Sequence, residues 1–248
     1  MLLTFFSILR WIIGWLDLLL ATSIVYPLSY LPPHFTRFYL QPLYQYWASS
    51  FVRALGVQLK LHQKNSHALP KQMILIANHP SVFEDIGMSA LFPVRYLAKS
   101  AVKNWWIVGK ISQATGTFYV NREDKIDRQR SFEALVQALK EGDSIGLYPE
   151  GGCKGRRIYL PFRYGVFELS MQSKIPIVPV FLHYESQVDF EWQNEHLLYK
   201  LWQIMRSQNR TAHYYIYDAI DPTQFESKEA FCTYVQNCYL EWQKRYLD

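Results

Sequence analysis

Apolar residues crowd the first thirty positions, then fall into short runs separated by charged stretches. Trp11 to Leu31 is mostly apolar and about the length that spans a bilayer. Asp17, Gly14 and Pro27 interrupt it. An Asp at the centre of a span costs about 2.5–3.5 kcal/mol, which the surrounding Leu, Ile and Trp offset in large part. Arg10 follows the first apolar residues instead of leading them, and no small-residue cleavage site comes after, so the pattern departs from a signal peptide. A second aromatic stretch runs from Phe35 through Phe38 and Tyr39 to Tyr44, Tyr46, Trp47 and Phe51. Tyr and Trp at this density suit the headgroup region. A helical stripe covering the domain core is the other reading of the same residues. The pattern predicts two membrane-associated helices over residues 1–56, lying in or dipping through one leaflet, with a single true span as the alternative.

Beyond residue 56 the periodicity changes. Val57 to His62 alternates as a half-buried strand does, and Met73 to Ala77 is a continuous apolar run suited to a strand covered on both faces. Further strands are predicted at Phe118 to Val120, Ser144 to Tyr148, Ile175 to Leu182 and His213 to Tyr217. Between them lie helical patterns at Ser81 to Ala90, Val102 to Ala114, Asp127 to Lys140 and around Phe167 to Met171, with a long amphipathic helix at Ser227 to Tyr246. Strands alternating with helices predict an α/β domain over residues 57–248, with a mixed, partly parallel sheet flanked by helices. The chain of 248 residues begins with Met, reads as complete, and is long enough for one such domain.

Composition narrows the function classes. The net charge of +5 fits nucleic acid, an anionic membrane or an acidic substrate. No nucleic-acid motif accompanies it, and the apolar N-terminus favours the membrane. Cys153, Cys232 and Cys238 form neither a disulfide framework nor, with histidine, a metal-ligand spacing, so they read as free thiols in a reducing compartment.

The stretch Asn78-His79-Pro80-Ser81-Val82-Phe83-Glu84-Asp85 carries the chemistry. It places a histidine where a buried strand opens onto a helix, with carboxylates one turn on. One acid can hold the imidazole tautomer while the ring takes a proton from a hydroxyl. Ser81 and Glu84 also fit a capping box. In α/β sheets, ligands gather at the carboxyl ends of strands. His79, Arg122 and Glu150 all fall at such ends.

Read in order, NHPSVFED, GTFYVNR at 116–122, YPEGGCKGR at 148–156 and IPIVPV at 175–180 resemble the four blocks of the glycerolipid acyltransferase family, which includes 1-acylglycerol-3-phosphate acyltransferases. The resemblance covers roughly residues 70 to 182, and Lys99 to Gly109 looks like that family's Lys-rich helix. It implies transfer of a fatty acyl group from acyl-CoA or acyl carrier protein, as a thioester co-substrate without another cofactor, to the hydroxyl of a lysophospholipid. It implies membrane lipids as partners, attachment at the cytoplasmic face, His79 as the base, and no covalent enzyme intermediate. Glu84 stands where the family has Asp. Asp85 is the alternative partner for His79. By the same match Arg122 and the basic residues of the third block hold the acceptor phosphate, Gly151 and Gly152 let backbone amides approach an anion, and Glu150 orders the arginines. The family's Thr-Arg-Ser is here Gly152-Cys153-Lys154, so Lys154, Arg156 or Arg157 would replace the arginine. That departure leaves the headgroup open, with another lyso-lipid or an aminolipid as alternatives. Pro176 and Pro179 read as an edge or bend lining the cleft, and Arg163 resembles a basic position of the family. A hydrolase lacks its G-x-S-x-G elbow here. A non-catalytic lipid-binding protein on the same fold leaves His79 without purpose.

Overall fold

The computed structural model describes residues 2–32, 41–192 and 196–248, with side chains from residue 9 onward. The predicted aromatic stretch from Phe35 to Leu40 lies outside the described residues. The strands are β1 (Gln58–Gln63), β2 (Ile74–Ala77), β3 (Arg95–Lys99), β4 (Phe118–Val120), β5 (Ile145–Leu147), β6 (Ile177–Tyr184) and β7 (Thr211–Ile216), in the order β1-β7-β6-β2-β5-β3-β4. Strands β6, β2, β5, β3 and β4 run parallel, whereas β7 pairs antiparallel with β6 and parallel with β1. The sheet is therefore mixed and mostly parallel, as the alternating pattern predicts.

Helices cover both faces. Leu75, Ala77, Val178 and Val180 point to one face, where they meet α2 (Gln41–Ala54), α3 (Glu84–Leu91), α7 (Gln187–Phe190) and α8 (Leu197–Arg206). Ile74, Ile76 and Phe181 point to the other, against α5 (Lys125–Lys140), α6 (Gly165–Ser173) and α9 (Lys228–Tyr246). This alternation follows from the two-residue period of a strand. A third cluster joins α1 (Leu2–Leu28), α2 and α4 (Trp106–Ala114) through Leu18, Val25, Tyr44, Trp47 and Ile111. Tyr44 and Trp47 therefore face the interior, so for them the core-stripe reading holds and the headgroup reading does not. Asp17, the polar residue in α1, turns toward α2 and pairs with Arg53 at 2.6 Å. Leu9–Leu28 is long and apolar enough to cross a membrane, and most of its surface is exposed.

Three local readings change. The α3 helix starts at Glu84 instead of Ser81, although the Glu84 carboxylate does reach back to the Ser81 N–H at 2.9 Å. Strand β3, bounded by Arg95 and Lys99, had no alternating pattern to announce it, and the Lys-rich segment after it opens as a 3-10 turn at Ser100–Asn104 before α4. Pro179 lies in the interior strand β6, not at an edge. Its carbonyl accepts from Tyr217 just past the end of β7, so its missing N–H falls where the ladder has stopped.

Candidate active site

The parallel strands β2, β5 and β4 deliver His79, Glu150 and Arg122 from their carboxyl ends to one side of the sheet. Gly87 sets the distance of α3 from that sheet. A Cβ there would stand 1.9 Å from the Tyr214 hydroxyl, so only glycine allows the helix this close. The close seat lets Glu84, first residue of α3, reach under the loop that carries His79.

His79 Nδ1 lies 2.8 Å from Glu84 Oε2. The Glu84 carboxylate also accepts from the Ser81 N–H, and its second oxygen accepts from the Tyr184 hydroxyl. Glu84 is fully buried, and burial pushes its pKa up, while these donors pull the other way. Two donors, the Ser81 N–H and the Tyr184 hydroxyl, favour the ionised carboxylate, and an ionised Glu84 accepts from Nδ1–H, the tautomer that leaves Nε2 with its lone pair. Burial, joined by the Arg122 charge and opposed by that of Asp85, lowers the His79 pKa to about 4. The ring is therefore neutral near pH 7. Its side chain keeps 11% exposure, enough for an edge to meet substrate.

Two further residues clamp the imidazole. Tyr148 stacks on one face, with centroids 4.1 Å apart and planes 13° from parallel. Cys153 Sγ is 3.4 Å from Nε2 and 3.7 Å from Nδ1. Near-equal distances to both nitrogens put the sulfur over the ring face, not in line with either lone pair. Its thiol donates to the Ser81 carbonyl at 3.0 Å. Burial pushes the Cys153 pKa far up, with Glu84, Asp85 and Glu150 adding to the shift.

Glu150 departs from its expected role. Its oxygens accept from the backbone N–H groups of His79 at 2.9 Å and Tyr159 at 3.2 Å, so it fixes the histidine loop and not the arginines. Burial raises its pKa to about 8 against those two donors. Beside it the chain turns through Gly151 and Gly152, both at positive φ. Arg122 Nη1 donates to the Gly151 carbonyl, and the Arg163 side chain packs 3.3 Å from where a Gly151 Cβ would stand. Two guanidinium arms thus flank the glycine turn.

The remaining candidates lie further out. Asp85 is exposed and acts on His79 through its charge; the hydrogen bond to the ring belongs to Glu84. Lys154 is exposed, with its ammonium 5.0 Å from the Tyr159 ring. Arg156 is exposed and uses its backbone N–H on Glu191. Arg157 pairs with Asp248 at 2.8 Å. Tyr148, Tyr184 and Cys153 were not singled out from the sequence as site residues. Tyr148 and Cys153 carried a signal, because both fall in the block YPEGGCKGR, whereas Tyr184 carried none. His79, Glu84 and Cys153 bring ligating atoms within 4.8 Å of one another, a cluster hidden from sequence spacing. The oxygens of Glu84 are occupied by three donors and the sulfur lies over the ring face, which suits an acid–base pair better than a metal centre.

A buried His–Glu pair and a basic glycine turn at strand ends, carried by this mixed sheet, coincide with a known family. Residues 58–183 match the family model described as Acyltransferase, and the chain belongs to that family. It is 29% identical over 118 residues to a 1-acyl-sn-glycerol-3-phosphate acyltransferase of Neisseria gonorrhoeae, covering 48% of this chain and 46% of that one. It is 24% identical over 194 residues to a lyso-ornithine lipid O-acyltransferase of Pseudomonas aeruginosa, covering 74% and 71%. For the first of these relatives the match spans about half their length. The crystal structure of the 1-acyl-sn-glycerophosphate acyltransferase PlsC from Thermotoga maritima superposes with a TM-score of 0.64, 15% identity and coverage of 98% of this chain and 96% of that one, and shares the fold.

Proposed function

We propose that this protein moves a fatty acyl group from acyl-CoA or acyl carrier protein to the hydroxyl of a lysophospholipid, with 1-acylglycerol-3-phosphate as the first acceptor to test. The observation that carries the reading is the buried His79–Glu84 pair, with Nδ1 committed to the carboxylate. The acceptor hydroxyl gives its proton to Nε2. Its oxygen attacks the thioester carbonyl, the carbon–sulfur bond breaks, and His79 returns the proton to the leaving sulfur. Positioned base catalysis contributes about 10²–10⁴-fold, and holding the two substrates in contact contributes more. Arg122 holds the acceptor phosphate, with Arg163 on the far side of the glycine turn. The exposed apolar flank of α1 supports a site at a membrane, and attachment at its cytoplasmic face is part of the same proposal.

The test is an acceptor screen with purified full-length protein and one labelled acyl-CoA, repeated with acyl carrier protein. Transfer to 1-acylglycerol-3-phosphate, lost in His79→Ala and with a raised KM in Arg122→Ala, supports the reading. Transfer confined to an aminolipid acceptor moves the headgroup assignment. Transfer to no lysolipid from either donor sinks it.

A further inference from the structure

Helix α8 packs Leu201, Ile204 and Met205 on the core and yet is apolar on its outward side as well. Lys200 is buried to 1% exposure and its ammonium donates to the Asp189 carbonyl at 3.2 Å, while Ile204 packs beside it in the core. On the outward side Leu198, Tyr199 and Trp202 are 68%, 51% and 48% exposed. Their spacing of three and four residues makes one continuous stripe. A water-facing helix gains by turning its lysine out and its leucine and tryptophan in. Here the lysine is turned in and a leucine, a tyrosine and a tryptophan are left facing out, which an apolar partner on that side would offset.

We infer that the Leu198–Tyr199–Trp202 face of α8 docks on an anionic lipid bilayer, as an in-plane contact separate from α1. Tyr199 and Trp202 stack at 5.9 Å, and the Arg206 guanidinium sits 4.6 Å from the Trp202 ring. Leucine below, indole and phenol at the boundary, and a guanidinium at headgroup level is the side-chain order of a membrane interface. The C-terminal end of α8 also leads to the other exposed apolar surface. Arg210 bonds the Met205 carbonyl at the end of α8 and the Gly56 carbonyl, and Trp11 of α1 packs at Gly56. From there α1 continues with Ile12, Ile13, Leu16, Leu19 and Leu20 exposed.

The position beside the candidate site gives this contact a purpose, and to that extent it rests on the acyltransferase reading. Just before α8, the Trp192 N–H donates to the Pro80 carbonyl at 3.0 Å, next to His79. Glu191 accepts from the Arg156 N–H at 3.1 Å. A docked α8 therefore holds the histidine loop and the basic loop at the lipid surface, where a lyso-lipid presents its hydroxyl.

The test uses full-length protein in phosphatidylcholine vesicles containing phosphatidylglycerol, made with or without bromine on the acyl chains. Tryptophan emission is compared between wild type and Trp202→Phe, so their difference reports Trp202 alone. The expected difference signal is blue-shifted and quenched by the brominated chains. An unquenched difference signal at the wavelength of water-exposed indole overturns the inference, as does a concentration-dependent dimer in which Trp202 is shielded by a second copy. In a second arm, Leu198→Glu/Trp202→Glu lowers transfer to a vesicle-embedded acceptor by about tenfold and leaves transfer to a short-chain soluble acceptor unchanged. Equal loss on both acceptors also counts against docking. Should the wild type transfer nothing, the function proposal falls while the quenching result still decides the lipid contact.

Discussion

Among the described residues a histidine lies beside a glutamate twice, at His79–Glu84 and at His213–Glu185, with separations of 2.8 and 2.9 Å. The second pair sits where β6 and β7 meet. Distance alone does not tell them apart; their surroundings do. Glu84 is fully buried and held by Tyr184 and the Ser81 N–H, whereas the Glu185 side chain is 42% exposed. His213 spends both ring nitrogens, Nδ1 on His62 at 2.8 Å and Nε2 on Glu185. His79 spends Nδ1 on Glu84 and keeps Nε2 for a substrate. His213 has no nitrogen left to take a proton from outside, and the stacking of His62 on His213 and Tyr215 joins β1 to β7. A histidine–acid contact becomes a base only when the acid is buried and the far nitrogen is left open.

The largest expected effect breaks the comparison directly. His79→Ala lowers kcat for acyl transfer by about 10²–10⁴-fold, measured with labelled acyl-CoA and a lysophospholipid. His213→Ala leaves kcat within about twofold and lowers the melting temperature instead, since it removes a buried hydrogen-bonded ring. Equal losses of kcat in the two variants would mean that burial and the open nitrogen do not distinguish the pairs. One step smaller is the acid. Glu84→Gln keeps a partner for the Tyr184 hydroxyl but loses the charge that supports imidazolium, and is expected to lower kcat by about 10²-fold. Asp85→Asn, exposed and one residue on, loses far less, and Glu185→Gln least. A larger loss in Asp85→Asn than in Glu84→Gln would transfer the partnership to Asp85.

The pH profile sharpens the same contrast. Only neutral His79 accepts a proton, so kcat/KM is flat around neutrality and falls as pH drops through about 4. The Arg122 charge contributes to that low value and the Asp85 charge opposes it. Arg122→Ala therefore moves the acid limb upward toward the ordinary 6.5, and Asp85→Asn moves it downward. A limb that stays in place in both variants would detach the titration from His79.

Much of the first pair was legible in the sequence. A strand-like run of Met73 to Ala77 ending at Asn78-His79 gave the position, and the Ser81–Glu84 spacing gave the acid's reach. The contacts of Tyr184 and Cys153 were not legible, because Tyr184 lies 100 residues from Glu84 and Cys153 lies 74 from His79. Only strand order brings them together: β6 and β5 both neighbour β2. The role of Glu150 was misread for a related reason. Its carboxylate turns inward to a backbone N–H of the next strand's loop, and a one-dimensional motif does not record which way a side chain turns. Strand β3 escaped because a short strand bounded by Arg95 and Lys99 lacks the alternation that marks a half-buried one. The local pattern at His213 announces a strand and does not distinguish the histidine from a catalytic one either.

Cys153 carries the smallest expected effect and the most local meaning. In the family pattern an arginine fills this motif position; here a sulfur lies on the imidazole and its thiol donates a hydrogen bond to the Ser81 carbonyl. A sulfur–ring contact is worth about 0.3–1.5 kcal/mol, which bounds the loss on deletion at roughly tenfold. Cys153→Ala frees one face of the ring, so kcat falls by less than that factor while KM for both substrates stays put. Cys153→Ser restores the donor to Ser81 but not the sulfur's bulk, and recovers only part of the loss. A hundredfold drop in Cys153→Ala, together with an acyl adduct on the wild-type thiol seen by intact mass, would turn the clamp into a nucleophile. The position of the sulfur over the ring face, with its thiol donating to a carbonyl, argues for the clamp.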